Sequence, residues 1–285
     1  MMNRKDKSMY HNILTQKEQP NYRAVKKIVK LLVEFVQTDS IYFSKTEDRT
    51  NLGILTVLSK KSTYYYDEIR EHLEKLIENH SEFSFCIFDR DLVKRNVKEG
   101  NLFFILNCKE SDLVYSKDNF KPVINIANIK LKRLLRKTRE RFKERMTQCE
   151  TIGRDLKHHN RCDNHLMALY VIHQQFRYMF INISWLVSGE RRFENSIKGQ
   201  QEYIIEFNNS LGKVFDKNKK EEWVILKKLD RACRAVQWGE EIEPLDMEVV
   251  AAASEKLEWM KNAVNALFRE HEEKTRLIFK DYGNR

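Results

Sequence analysis

The sequence contains little glycine and proline, with 8 Gly and 3 Pro in 285 residues. Because these two residues interrupt helices and mark turns, their scarcity predicts long helices and few loops. No run of 18 uncharged apolar residues occurs, so we expect neither a membrane span nor a membrane partner. The first twelve residues lack the apolar core of a signal peptide, and we expect a cytoplasmic protein.

The five cysteines are widely scattered and form no Cys-x-x-Cys pair. An odd number of dispersed cysteines is typical of a protein kept reduced, and it argues against a disulfide framework or a zinc site. We therefore expect no metal site, and no motif in the chain indicates a cofactor.

Positive charge is abundant and unevenly distributed. The net charge is +10, and residues 129–146 hold nine Lys or Arg against two Glu, a net charge of +7 in eighteen residues. Such a concentration favours anionic partners, nucleic acid first. The candidate phosphate-binding residues are Lys132, Arg136, Arg139 and Lys143. The alternative interpretation is a solvated helix face that keeps the protein soluble.

The spacing of apolar residues divides the chain into a mixed first half and a helical second half. The first half predicts, in order, helix 22–37, strands 40–43 and 51–58, helix 64–79, strand 83–88, helix 91–99 and strand 102–106. The second half predicts helices at 125–150, 163–188, 198–212, 219–238 and 246–279.

This order predicts an α+β N-terminal domain, a small sheet with helices, followed by an all-α helical bundle. We expect a flexible N-terminus at 1–20, the α+β domain at 21–116, a linker at 117–127 and the helical domain at 128–282. The linker is assigned from its polar composition and Pro122.

A degenerate motif spans the first two predicted strands. Phe43 is followed by Ser44 and Lys45, and a short loop then leads to Asn51 and Gly53. This layout resembles the minimal nucleotidyltransferase domain, whose motif is Phe-Gly-Ser followed by Ser-Asp-x-Asp-Leu. The resemblance implies two aspartates that hold Mg²⁺ against a nucleotide. Asn51 and Gly53 replace both, so we expect these positions to be the remnant of a nucleotide site without transfer activity.

A long apolar segment in the second half carries a polar pair and ends in an arginine pair. His173 and Gln174 lie within it, and Gly189-Glu190-Arg191-Arg192 follows it. This layout resembles the HEPN domain, an all-α module of RNA-cleaving toxins and defence proteins. The resemblance implies an Arg and a nearby His that face each other across a dimer. Here Asn195 and Ser196 stand where the His would be, and neither titrates near pH 7.

The catalytic candidates are therefore Arg191, Arg192 and His173. For His173 the ordinary alternative is a hydrogen-bonded histidine in the core or in an interface. We interpret the chain as a non-catalytic protein on a degenerate nucleotidyltransferase–HEPN scaffold that binds RNA, a nucleotide or a protein partner. The alternative is an HEPN-type RNA-cleaving nuclease that uses Arg191 or Arg192 with an unrecognised acid or base.

We predict a homodimer, because HEPN proteins pack their long helix between subunits and the matching segment here is apolar from 166 to 187. Light scattering at micromolar concentration should give about twice the chain mass of 34.3 kDa. A mass equal to that of one chain would contradict this prediction.

Overall fold

The computed structural model describes residues 13–14, 21–36, 38–45, 53–59, 78–80, 82–117 and 122–283. By its internal contacts the chain divides into two compact units, Met1–Leu134 with Lys274–Arg285, and Leu135–Glu273. A small mixed sheet near the N-terminus is followed by a largely helical region, which agrees with the predicted order of fold classes. The predicted flexible N-terminus, helix 64–79 and linker lie wholly or partly outside the described residues.

The regular elements before residue 117 include, in chain order, α1 (Tyr22–Phe35), β1 (Thr38–Ser44), β2 (Gly53–Ser59), β3 (Phe83–Asp89), α2 (Arg90–Lys98), α3 (Phe103–Asn107) and β4 (Leu113–Ser116). The first predicted helix, the first three predicted strands and the helix predicted at 91–99 are confirmed within a few residues.

The sheet is built around two central strands. Its strand order is β3-β2-β1-β4, with β1 antiparallel to β2 and β4, and with β2 parallel to β3. Every residue of β1 and β2 is buried, as expected for strands covered on both faces. α1 contributes Ile28 and Leu32 to the core that also contains Ile41 and Leu55, so burial of its apolar stripe holds this helix on the sheet.

The strand predicted at 102–106 is wrong, because these residues form the short helix α3. The backbone N–H of Phe103 donates to the Asn101 side chain at 3.0 Å, and the Asn107 side chain donates back to the Phe103 carbonyl at 2.9 Å. Phe104 packs edge-to-face on Phe88 at 4.9 Å between ring centroids. A short apolar run is compatible with a buried helix as well as with a buried strand. Here these hydrogen bonds and the ring contact stabilise the helix.

Strand β4 was not predicted. It has four residues, and it exists through its pairing with β1, in which Ser40 lies opposite Ser116 and Ile41 opposite Tyr115. Such a short edge strand has too few residues to display an alternating pattern.

The helices after residue 130 are α4 (Leu131–Ile152), α5 (Leu156–Arg161), α6 (His165–Val187), α7 (Ile197–Ile205), α8 (Lys220–Trp238) and α9 (Met247–Gly283). The five helices predicted for this region are confirmed, but with different bounds for two of them. The one predicted at 125–150 begins at Leu131, and the one at 198–212 ends as α-helix at Ile205 and is followed by a short 3₁₀ turn at Leu211–Lys213. The short helix α5 was not predicted. Within the second unit, α4 packs on α9 through parallel stacking of Phe142 on Phe268 at 3.9 Å.

Gly53 is required where β2 begins. Its φ is +152°, and a Cβ atom added there would lie 2.3 Å from the Ser44 carbonyl oxygen and 2.8 Å from the Phe43 ring. Both neighbours belong to the paired strand β1, so they cannot withdraw without opening the sheet. The glycine therefore serves the close approach of two strands.

Replacement Gly53→Ala should lower the free energy of unfolding by about 2 kcal/mol or more, because it adds a backbone clash and a disfavoured φ. The matched control is Gly283→Ala in the same unit, where a new Cβ meets nothing within 4 Å. Denaturant unfolding measures both variants. Equal stability of the two would contradict the structural role given to Gly53.

Candidate functional site

Helix α6 is buried almost along its whole length, including its polar residues. His173, Gln175, Asn182 and Ser184 are each at most 4% exposed. Because a buried polar group is costly without a hydrogen-bond partner, these side chains constrain whatever packs around the helix. The contacts of α6 therefore decide whether the catalytic candidates are free to act.

The chain returns along α6 after the helix ends. Gly189, with φ at +79°, starts the reversal, and residues 190–196 form what we call the return segment. The backbone N–H of Arg192 donates to Ser184 Oγ at 3.1 Å, and Arg177 Nε donates to the Glu194 carbonyl at 3.1 Å. The return segment thus runs antiparallel to α6. Arg192 contacts Ser184, and Glu194 contacts Arg177, which lies two helical turns closer to the start of α6.

The far end of the return segment is fixed beside His173. Asp230 Oδ1 of α8 lies 3.1 Å from His173 Nε2 and accepts the backbone N–H of Ile197 at 2.9 Å. From Ser184 back to His173, α6 spans about 16 Å, which five extended residues can cover. The path from Arg192 to Ile197 has this length, so an extended backbone accounts for the geometry.

His173 is a structural residue in this arrangement. Its side chain is 1% exposed, and it shares the Asp230 carboxylate with the first turn of α7. A ring that donates from Nε2 to Asp230 can accept the Gln174 amide at Nδ1, 3.3 Å away, so both ring nitrogens are engaged. The negative carboxylate also interacts favourably with the N-terminus of α7. Both ring nitrogens thus face partners inside the protein, and the side chain has almost no contact with solvent.

The structure does not bring His173 together with the two arginines. Arg192 is held near Ser184, about 16 Å along the helix from His173. Its guanidinium lies over the Tyr203 ring at 4.4 Å, and the Tyr203 hydroxyl donates to Glu190 at 2.9 Å. Arg191 is exposed to solvent.

Asn195 and Ser196, which stand where the resemblance would place a histidine, take part in local hydrogen bonds with the backbone. Ser196 is the N-cap of α7, and its Oγ accepts the Gly199 N–H at 3.0 Å. The Asn195 N–H donates to the Glu194 side chain at 3.1 Å. Asp230 was missed in the sequence, because 57 residues separate it from His173 and no local pattern marks it.

The nucleotide-site remnant is only partly described. Ser44 is buried and donates to Asn107 Oδ1 at 2.6 Å, while Lys45 is exposed. Gly53 approaches the Ser44 carbonyl, and Asn51 lies outside the described residues. The side chain of Ser44 is thus committed to α3, a contact that the sequence could not indicate because α3 was predicted as a strand.

In the described ranges, no group of three or more His, Cys, Asp or Glu side chains could hold a metal ion. All five cysteines are free. Burial, with the Asp230 carboxylate adding to it, raises the pKa of the Cys233 thiol. The thiol therefore stays protonated at neutral pH and is a poor nucleophile, although it lies 3.6 Å from the Gln174 amide.

The basic face of α4 is an exposed arrangement of cations. Lys132, Arg136, Arg139 and Lys143, which we call the α4 stripe, follow the spacing i, i+4, i+7 and i+11 and fall within about 60° around the helix axis. All four side chains are exposed. The structure therefore places the predicted phosphate-binding residues on one accessible face.

The four members of the α4 stripe are not equivalent. Arg139 makes two hydrogen bonds to Glu272 of α9, at 2.7 and 3.1 Å, and these bonds and the carboxylate charge raise the pKa of its guanidinium. Arg136 has only an exposed contact of 3.7 Å with Glu140. Arg139 therefore fastens α4 to α9, and the other three cations are the ones available to a ligand.

Comparison with protein-family models finds no match for this chain, and searches of curated proteins and of solved structures find no significant match either. Among the described helices, none is both long and apolar enough to cross a membrane.

Replacement Asp230→Ala should lower the free energy of unfolding by about 2 kcal/mol, because it leaves buried His173 and the first turn of α7 without their acceptor. The control Arg191→Ala removes an exposed side chain and should change stability by about 0.5 kcal/mol at most. Denaturant unfolding compares the two. A loss in Asp230→Ala as small as that in the control would contradict the structural role of the His173–Asp230 pair.

Proposed function

We propose that this protein binds RNA without cleaving it, through phosphate contacts made by the α4 stripe. The observation that carries the proposal is the placement of Lys132, Arg136 and Lys143 on one exposed face of α4. We place this binding face on the scaffold that the sequence resembles, a degenerate nucleotidyltransferase domain followed by a degenerate HEPN domain, acting as a homodimer.

The dimensions of the α4 stripe suit a nucleic-acid strand. From Lys132 to Lys143 it extends about 16 Å along the helix, enough to follow several phosphates. Lysine and arginine side chains on a rigid helix contact phosphate oxygens without reading bases, so binding should show little sequence preference. The contact of Arg136 with Glu140 is exposed, and such pairs are weak in water, so it yields readily to a phosphate.

Binding is preferred to cleavage because the acid–base candidate is committed elsewhere. His173 is buried and bonded to Asp230, and it lies far along α6 from Arg192. An RNA-cleaving activity would need another group beside Arg191 or Arg192 with a suitable protonation equilibrium.

The test replaces Lys132, Arg136 and Lys143 together by Gln and keeps Arg139, because Arg139 fastens α4 to α9. With a labelled 20-nucleotide single-stranded RNA, affinity at low salt should fall about ten-fold or more. The slope of log affinity against log salt concentration should decrease by about 2, since each lost phosphate contact contributes about 0.7.

The matched control replaces three exposed cations that lie outside α4, Lys157, Arg161 and Lys217, also by Gln. This variant carries the same net charge, and its affinity should remain within about two-fold of the parent. If both variants bind RNA equally well, or lose affinity equally, the α4 stripe is a solvated face and the proposal fails.

A further inference from the structure

A second row of cations lies on α8 and is covered by the chain that follows it. Lys228, Arg231 and Arg234, which we call the α8 stripe, are spaced three residues apart. After α8 ends, the chain continues as the acidic segment, residues 240–246. Three carboxylates of the acidic segment pair with the α8 stripe in order: Glu240 with Arg234 at 2.8 Å, Glu243 with Arg231 at 3.9 Å, and Asp246 with Lys228 at 3.8 Å.

The regular pairing follows from a reversal of the chain. Gly239 caps α8 with φ at +71°, a conformation that favours glycine, and the chain then turns back along the helix. The last cation of the stripe meets the first carboxylate, and the first cation meets the last. A run of negative groups at a three-residue spacing thus lies along a run of positive groups at the same spacing.

Two of the three pairs are long, and the shortest, the hydrogen bond of Arg234 to Glu240 at 2.8 Å, lies at the surface with side chains that are 40% and 47% exposed. The side chain of Glu243 is 81% exposed, that of Asp246 is 58% exposed, and their contacts are near the 4 Å limit of an ion pair. Exposed pairs of this kind add little stability in water and weaken with salt. The acidic segment can therefore be displaced from the stripe at small cost.

Carboxylate and phosphate offer similar oxygen pairs to a guanidinium, and both form charge-assisted hydrogen bonds with it. We propose that the α8 stripe is a second phosphate-binding surface for RNA, and that the acidic segment covers it by placing three carboxylates where phosphates would bind. RNA and the acidic segment then compete for the same three cations. This inference goes beyond the proposed function of the α4 stripe, because it concerns a different helix.

The experiment uncovers the α8 stripe by neutral replacements, Glu240→Gln, Glu243→Gln and Asp246→Asn, in the full chain. Asp246 also accepts the Val249 N–H at 2.9 Å as a cap of α9, and asparagine preserves this role. The background carries Gln at Lys132, Arg136 and Lys143, so that binding by the α4 stripe does not mask the result. Because the α4 stripe is already removed in this background, the result tests the α8 stripe independently of the function proposed for the α4 stripe.

Affinity for the labelled 20-nucleotide single-stranded RNA at low salt should rise about five-fold or more over the background, with a steeper dependence on salt. Adding Lys228→Gln, Arg231→Gln and Arg234→Gln should remove the gain, because it removes the surface that was uncovered. Should the triple variant be unstable, Glu243→Gln alone should still raise the affinity, and by more than the single control Glu248→Gln, which removes the same charge outside the acidic segment.

The matched control removes three exposed carboxylates of the second unit that lie outside the acidic segment, Glu221→Gln, Glu248→Gln and Glu255→Gln. Its net charge equals that of the uncovered variant, and its affinity should stay within about two-fold of the background. An equal gain in the control would show an effect of net charge alone. No gain in the uncovered variant, or a gain that survives loss of the three cations, would also overturn the inference.

Discussion

The burial of most of α6 is the constraint on which the second unit depends. A helix with so little contact with solvent must find partners inside the protein for the polar groups that it buries. His173 and Ser184 find them in Asp230 of α8 and in the backbone of the return segment. These contacts fix the path of the chain after α6 and the start of α7. With both ring nitrogens against protein partners and 1% of its side chain exposed, His173 has almost no contact with solvent.

The surface cations of α4 and α8 differ in what they contact, although the residue types are the same. Arg139 makes a two-point contact with buried Glu272 and belongs to the packing of α4 on α9. Lys132 and Lys143 lie on the same helix face and are open to solvent. On α8, Arg231 and its neighbours in the stripe face carboxylates from their own chain. A net charge of +10 therefore says less about binding than the pairing of individual cations does.

Elements with a clear pattern were predictable, and the short elements α3, β4 and α5 were not. Helices α6 and α9 repeat their apolar spacing over many turns, and β2 is rich in apolar and β-branched residues, so the local pattern identifies them. The run Leu102–Leu106 is too short to distinguish strand from helix, and its asparagine neighbours decide the outcome through contacts with the backbone. Strand β4 depends on partners far away in the chain, β1 on one side and Ile13 in an isolated bridge on the other.

The sequence by itself determined the order of a small sheet followed by helices, the buried helix α6 and the basic face of α4. These depend on the spacing of neighbouring residues, which a helix or a strand converts directly into a face. Only the tertiary structure decided the roles of the candidate residues. His173 is tied into the core by Asp230, which is far away in the chain and lies 3.1 Å from the ring. Arg139 joins α4 to α9 because it donates a hydrogen bond to Glu272 at 2.7 Å. Whether a polar side chain is free or committed depends on partners brought together by folding, and such partners leave no local pattern in the chain.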